Sequence, residues 1–125
     1  MTAPAFNTVA WFQIASDQPD RAKEFYGSLF GWNFVPDPNG AGRYDLITYP
    51  GSEIPAGGVG HTDDESENHA IFFVLVPDVA ATVAAAEAAG GKVEIPATTS
   101  PNGLVFAQLV DVSGNSFGVF TPAPR

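Results

Sequence analysis

Few side chains in this sequence are able to do chemistry, and its two histidines stand out among them. His69 precedes the apolar run AIFFVLV, and His61 precedes the acidic run TDDESEN. An imidazole can act as a general base, or can bind a divalent metal together with other nitrogen and oxygen ligands. His69 equally suits a polar strand end, and we expect His61 to be solvated beside the acids. The role of His69 depends on the elements that position it.

Several other kinds of site are excluded by residue type or spacing. The chain has no cysteine, which removes disulfides, thiolate metal sites and cysteine nucleophiles. The acids of HTDDESEN lack the spacing and the glycine of a calcium-binding loop. The glycines of AGGVGH do not join a strand to a helix, as those of a phosphate-binding loop do. Metal or base chemistry would therefore depend on His69 and on partners elsewhere in the chain.

The charge balance limits the partners. The 125 residues carry a formal net charge of −9, and the five Lys and Arg residues are scattered. Nucleic acids and anionic membranes bind clustered basic side chains, so neither is an expected partner. No apolar run approaches the roughly 20 residues that span a bilayer, and the N-terminus lacks the pattern of a signal peptide. We expect a cytoplasmic protein whose partner is a small molecule, and its acidity would tolerate a cationic one.

The sequence repeats itself at an offset of 60 residues. Phe12 then meets Phe72, and Gly58 meets Gly118, with no gap in the register between them. A fixed period of this kind indicates two structural units of the same design. We predict one domain, 1–125, built from two modules, 6–60 and 69–121, that the acidic linker 61–68 joins.

Each module has the same predicted order of elements. In the first, TVAWFQIA reads as a strand, and Pro19 opens a helix with Asp17 or Gln18 as its cap. An apolar stripe at helical spacing predicts the buried face of this helix: Ala22, Phe25, Tyr26, Leu29 and Phe30. Gly31 ends the helix, and three short strands follow.

The second module follows the same plan. AIFFVLV is its first strand, Asp78 caps the alanine-rich helix VAATVAAAEAA, and Gly90 and Gly91 close it. Three strands complete the module. The sequence therefore predicts an α+β fold of two tandem β-α-β-β-β modules.

This pattern resembles a known superfamily. The segments DRAKEFYGSLFGW, VPDVAATVAAAEAAGGKV and DVSGNSFGVF are similar to those of the vicinal oxygen chelate (VOC) superfamily, which includes glyoxalase I, bleomycin resistance proteins and extradiol dioxygenases. The resemblance implies curved mixed sheets that enclose a cleft, within one chain or across a homodimer. Because one fold supports many functions, the function must be argued from the site.

The resemblance also implies where a metal would bind. Metal-using members carry one ligand, typically His, Gln or Glu, on the first strand and one on the last strand of each module. These positions correspond here to Trp11, Gly58, Ile71 and Gly118. None of the four has a side chain that binds a metal. We therefore expect no metal cofactor.

A register shift of two residues leaves an alternative open. Side chains alternate between the two faces of a strand, so Gln13 and His69 share the cleft face with Trp11 and Ile71. They would form a metal site that still lacks a carboxylate. Alternation also identifies the cleft lining, to which Tyr44, Thr48 and Gln108 would add polar contacts. The predicted lining is Trp11, Gln13, Gly58, His69, Ile71, Phe73, Phe106, Gly118 and Phe120.

The sequence favours one function and leaves others open. We expect a metal-independent glyoxalase/bleomycin resistance-like protein that binds a small organic molecule, cationic or drug-like, in an aromatic cleft. The alternative is a metal-dependent lyase, isomerase or dioxygenase that uses Gln13 and His69 on an oxygenated substrate. A third interpretation, a non-catalytic partner module, would show a filled cleft and a large exposed apolar patch. The aromatic residues also suit an ordinary packed core, and whether the protein is an enzyme is left open.

Overall fold

The computed structural model of the protein describes residues 5–123, and the predicted α+β order of elements is confirmed. The elements are β1 (Thr8–Ser16), α1 (Pro19–Phe30), β2 (Asn33–Pro36), β3 (Tyr44–Thr48), β4 (Pro55–His61), a single 3-10 turn (Glu65–Glu67), β5 (His69–Leu75), α2 (Val79–Ala88), β6 (Lys92–Thr99), β7 (Val105–Val110) and β8 (Ser116–Thr121). No helix among the described residues is long and apolar enough to cross a membrane.

The chain divides into two compact units. One comprises residues 11–70, and the other combines 5–10 with 71–123, so the boundaries fall inside β1 and β5. The strand order is β2-β3-β4-β1 in the first unit and β5-β8-β7-β6 in the second. The pairs β1/β4 and β5/β8 are parallel, whereas the remaining pairs within the units are antiparallel. Each unit therefore has the mixed sheet of a β-α-β-β-β module, as predicted.

Local signals in the sequence account for the helix ends. Pro19 opens α1, and Gly31 closes it at φ +71°, where its N–H donates to the carbonyl of Gly27 over 2.9 Å. Gln18, one of the two residues predicted as the cap of α1, does occupy the cap position, but its side chain makes no capping hydrogen bond. In α2 the predicted cap is confirmed: the Asp78 carboxylate accepts a hydrogen bond from the Ala81 N–H over 3.0 Å.

The two units have separate cores on the helix side of their sheets. In the second unit, Val79 of α2 packs with Val76, Ala107, Leu109 and Val119, all nearly inaccessible to solvent. Burial of such side chains contributes about 1.5–3 kcal/mol each. In the first unit, Ile47 and Val59 are fully buried on β3 and β4.

The predicted buried face of α1 is correct only in part. Phe25, Leu29 and Phe30 are 59%, 58% and 54% exposed, and no α1 residue is fully buried. Beyond Pro19 at the first turn, the half-buried positions are Ala22, Lys23, Tyr26 and Gly27, so the inward face shares only Ala22 and Tyr26 with the apolar stripe.

Two contacts show which side of α1 faces the sheet. Lys23 forms an ion pair with the buried Asp45 of β3, with Nζ 3.1 Å from Oδ2. Gly27 lies on the same side, where a β-carbon would make an ordinary contact of 3.5 Å with the Phe34 ring. The aromatic stripe is therefore left toward solvent, although Tyr26 stacks on Trp32.

Candidate functional site

One face of the first unit gathers the polar residues that the sequence singled out. Phe12 of β1 packs on Trp32, just beyond α1, with ring centroids 5.5 Å apart, so Phe12 points toward the helix. Its neighbours Trp11 and Gln13 therefore point to the opposite side of the sheet. We call this side the Trp11 face, and we define it by the residues that meet there: Trp11, Gln13, Tyr44, Gly58 and His69.

The first contact of the Trp11 face joins Trp11 to Tyr44. The indole Nε1–H donates a hydrogen bond to the Tyr44 hydroxyl over 3.1 Å. The phenol extends from β3 over Gly58 of β4. A β-carbon at Gly58 would lie 2.2 Å from Cε2, Cζ and Oη of Tyr44, far inside ordinary contact. The absence of a side chain at Gly58 is therefore what lets the Tyr44 ring lie there.

The Tyr44 hydroxyl is protonated at neutral pH. Burial raises the pKa of Tyr44 to about 12; the hydrogen bond from Trp11 acts in the opposite direction, and the charge of Asp37 adds to the rise. An indole nitrogen only donates, so its bond to Oη leaves the phenolic proton unused. Tyr44 thus presents a neutral O–H donor on the Trp11 face.

The second contact joins Gln13 to His69. Their Nε2 atoms are 3.0 Å apart, and Nδ1 of His69 is 2.9 Å from the carbonyl oxygen of Glu67. A carbonyl only accepts, so Nδ1 carries the proton, and Nε2 of the neutral ring accepts from the Gln13 amide. The lone pair that would serve a base or a metal is therefore engaged by Gln13.

The four positions where the resemblance implies metal ligands carry no side chain that binds a divalent metal. Within residues 5–123 no group of three or more His, Asp or Glu side chains converges as a cation site. Trp11 and Ile71 have no donor for a metal, and Gly58 lies under the Tyr44 ring. At Gly118 a β-carbon would lie 2.2 Å from Cδ2 and Cε2 of Phe73. Aromatic rings thus fill both last-strand positions where the resemblance implies ligands.

The remaining predicted lining residues lie in the second unit. Phe73 and Gly118 are direct partners in the parallel pairing of β5 with β8. Phe106 is paired with Phe120 across β7 and β8. The ring centroids of Phe73 and Phe120 are 6.4 Å apart, and the angle between the ring planes is 72°. Phe73 is 5% exposed. Within this unit the structure brings these residues together as an aromatic group around a glycine.

One feature of the first unit differs from the sequence expectation. His61, expected to be solvated, is half-buried on the helix side, with Nε2 3.4 Å from Oδ2 of Asp45. Burial lowers the pKa of Lys23, but its hydrogen bonds to Asp45 and Asp20 outweigh that effect and raise it. His61 therefore lies beside the Lys23–Asp45 ion pair.

A surface depression on the first unit is formed by residues outside the Trp11 face. It has a volume of about 650 Å³ and is lined by Gly51, Ser52, Glu53 and Ile54, in the loop between β3 and β4. It contains no aromatic side chain and one carboxylate. None of the predicted lining residues takes part in it.

Comparison with known proteins gives the family. A family model described as the Glyoxalase/Bleomycin resistance protein/Dioxygenase superfamily matches residues 8–119. CFP32 of Mycobacterium tuberculosis, provisionally named a glyoxylase, is 31% identical over 94% of this chain and 45% of its own length. A glyoxylase-like domain-containing protein of Didymella fabae is 29% identical over 90% of this chain and 92% of its length. The chain thus spans about half the length of the mycobacterial relative.

Solved structures support the same fold. Methylmalonyl-CoA epimerase of Streptomyces coelicolor superposes with a TM-score of 0.65 at 16% identity, covering 95% of this chain and 96% of that one. The Mn(II)-bound glyoxalase of Novosphingobium aromaticivorans gives a TM-score of 0.64 at 19% identity, covering 96% of this chain and 42% of that one. At these identities the likeness establishes the fold alone.

Proposed function

Because the chain belongs to the glyoxalase/bleomycin resistance protein/dioxygenase superfamily, we propose that it binds a small organic molecule on the Trp11 face without a divalent metal. The observation that carries this proposal is the Tyr44 ring over Gly58, at a position where a metal ligand would be expected. A phenol in that place supplies an apolar surface and a hydrogen bond donor. Such a combination suits a small organic ligand better than a bare metal ion.

The chemistry of the Trp11 face supports this choice. Trp11 and Tyr44 supply two aromatic groups, and Gln13 and His69 supply a hydrogen-bonded polar pair beside them. All four side chains are partly accessible to solvent. A few fixed polar groups among aromatic ones are typical of small-molecule sites.

The charge balance narrows the ligand class. One structural neighbour, methylmalonyl-CoA epimerase, is described in complex with a CoA derivative. Binding a CoA ester requires cations for its phosphates, whereas this chain has five Lys and Arg residues and a net charge of −9. Lys23 and Arg43 are already paired with Asp45 and Asp63. We therefore propose a neutral or cationic ligand.

Metal analysis tests the proposal. Purified protein is incubated with Mn²⁺, Zn²⁺, Ni²⁺ or Fe²⁺, desalted, and assayed for bound metal and for binding heat. We expect no tight stoichiometric binding. One ion per chain, lost in His69→Ala but kept in the control His61→Ala, would refute the proposed metal independence.

The alternative, a metal-dependent lyase, isomerase or dioxygenase, has one observation in its favour. Nδ1 of His69 donates to the Glu67 carbonyl, and metal-binding histidines are commonly oriented by such a bond. Gln13 would have to rotate away from Nε2. This function predicts an activity that both a chelator and His69→Ala abolish, and an activity that survives chelation would exclude it.

We also propose that the protein is a cytoplasmic homodimer, as the resemblance and the composition suggest. The exposed side chains of Phe25, Leu29 and Phe30 on α1 are an apolar surface that a second copy could cover. Sedimentation velocity at micromolar concentrations tests the homodimer. A monomer throughout these concentrations would overturn this part of the proposal.

A further inference from the structure

We infer that Tyr44 contacts the ligand directly, and that its hydroxyl donates a hydrogen bond to an acceptor oxygen of the bound molecule. This inference rests on the proposed binding function of the Trp11 face. It adds a residue that determines ligand specificity, and it assigns the ligand an oxygen acceptor such as a carbonyl.

The position of the hydroxyl is the first argument. Tyr44 of β3 is paired with Gly60 of β4, while Gly58 is paired with Leu46 of β3 and with Gln13 of β1. The Tyr44 side chain therefore leans along the sheet by two residues, until Oη stands over Gly58. This places the phenolic oxygen on the middle of the face, next to the strand that carries Gln13.

The unused proton is the second argument. Oη accepts the bond from Trp11, and among residues 5–123 it has no acceptor for its own proton. An acceptor oxygen of a ligand can therefore take this proton as its hydrogen bond donor. The phenol is neutral throughout the neutral pH range, so this donor persists there. Trp11 fixes the ring, so little side-chain freedom is lost when a ligand binds.

The second unit supplies an internal contrast. Gly118, the repeat partner of Gly58, is also covered by a ring, but that ring belongs to Phe73 and comes from the parallel neighbour β5. Phe73 has no hydroxyl. Of the two glycines, only Gly58 is therefore covered by a ring with a hydroxyl donor. Tyr44→Phe removes that hydroxyl and leaves the same type of ring that covers Gly118.

A matched pair of probes and a matched pair of variants test the inference. The probes are 2-acetylnaphthalene, which carries a carbonyl oxygen, and 2-isopropenylnaphthalene, which has nearly the same shape and no acceptor. Tyr44→Phe keeps the ring and removes the hydroxyl. Tyr49→Phe is the control, because Tyr49 stacks near Phe12 on the opposite side of the sheet. Affinities are measured by titration calorimetry and by the indole N–H resonances of ¹⁵N-labelled protein.

We expect Tyr44→Phe to weaken binding of the ketone by about 3- to 10-fold, which corresponds to one neutral hydrogen bond. Binding of the alkene should change less than about twofold, and Tyr49→Phe should change neither. Equal losses for both probes would show that Tyr44 acts by packing, and unchanged ketone binding would show that the hydroxyl is not used. Either result overturns the inference while leaving the binding function intact. If the wild-type protein binds neither probe at millimolar concentration, the proposed binding function fails together with the inference.

Discussion

Substituting alanine for Gly58 tests the most unusual contact of the Trp11 face. The new β-carbon would lie 2.2 Å from three atoms of Tyr44, whereas ordinary contacts are 3.4–4 Å. The ring would have to move by roughly 1 Å or more, and its 3.1 Å bond from Trp11 would then be lost.

The expected cost follows from these two effects. Crowding of this kind costs about 1–3 kcal/mol, and the lost hydrogen bond costs about 1 kcal/mol. The lower entropy of the unfolded alanine chain offsets about 0.4–1 kcal/mol. We therefore expect Gly58→Ala to lower the free energy of unfolding by about 1–3.5 kcal/mol.

Gly60→Ala is a matched control for this substitution. Gly60 lies two residues along the same strand and on the same face, and its β-carbon would meet Tyr44 at an ordinary 3.7 Å. Neither glycine has a positive φ, so alanine is not strained at either position. We expect Gly60→Ala to be neutral or to stabilise the protein by up to about 1 kcal/mol.

Urea denaturation of four proteins tests whether the Tyr44 ring lies over Gly58. The set is the wild type, Gly58→Ala, Tyr44→Ala and the double variant. Once Tyr44 is shortened, Gly58→Ala should cost nothing further, which gives a coupling energy of about 1–3.5 kcal/mol. Our placement of the Tyr44 ring is refuted if Gly58→Ala costs as much in the Tyr44→Ala background as in the wild type, or no more than Gly60→Ala does.

Three further predictions follow from contacts described above. The free energy of unfolding of the wild type, measured relative to Tyr44→Phe, should fall by roughly 2–3 kcal/mol between pH 10 and 12. The reason is that the Tyr44 phenol ionises near pH 10 in the unfolded chain and near pH 12 in the folded one. Equal pH profiles for the two proteins would contradict this. Asp45→Asn should lower the free energy of unfolding by about 1–3 kcal/mol in chemical denaturation, because it breaks the largely buried ion pair with Lys23. Asp63→Asn breaks a surface ion pair with Arg43 and should cost under about 0.5 kcal/mol. Equal costs would argue against the stabilising role of the buried pair. Asp78→Ala should cost about 1 kcal/mol through its lost cap, and Gln18→Ala, which loses no cap, should cost nothing measurable in the same assay.

The sequence predicted the order of elements well because that order depends on local signals. Each of these signals lies within a few consecutive residues: the apolar segments that form strands, the Asp78 cap and the glycine after α1. The offset of 60 also placed Gly58 and Gly118 in equivalent positions of their units, and both lie under aromatic rings. Local pattern and internal repeat therefore carry most of the fold.

The failures arose where side chains from different elements meet. The apolar stripe of α1 predicted a buried face that includes Phe25, but the ion pair of Lys23 with Asp45 holds another side of the helix inward. Similarly, nothing near Gly58 in the sequence indicates that Tyr44, fourteen residues earlier, lies over it. Strand pairing decides such contacts, and a single sequence does not give its register directly.

The rings over Gly58 and Gly118 also constrain how this chain could evolve. To gain a carboxylate at either position, it must replace a glycine and shorten an aromatic residue on a neighbouring strand. Each change made first is unfavourable: a side chain at the glycine clashes, and a shortened ring leaves a cavity. Because the covering residue is Tyr44 on β3 in one unit and Phe73 on β5 in the other, the two repeats would have to follow different mutational routes. Single substitutions therefore give no gradual path to a metal-binding descendant at these positions.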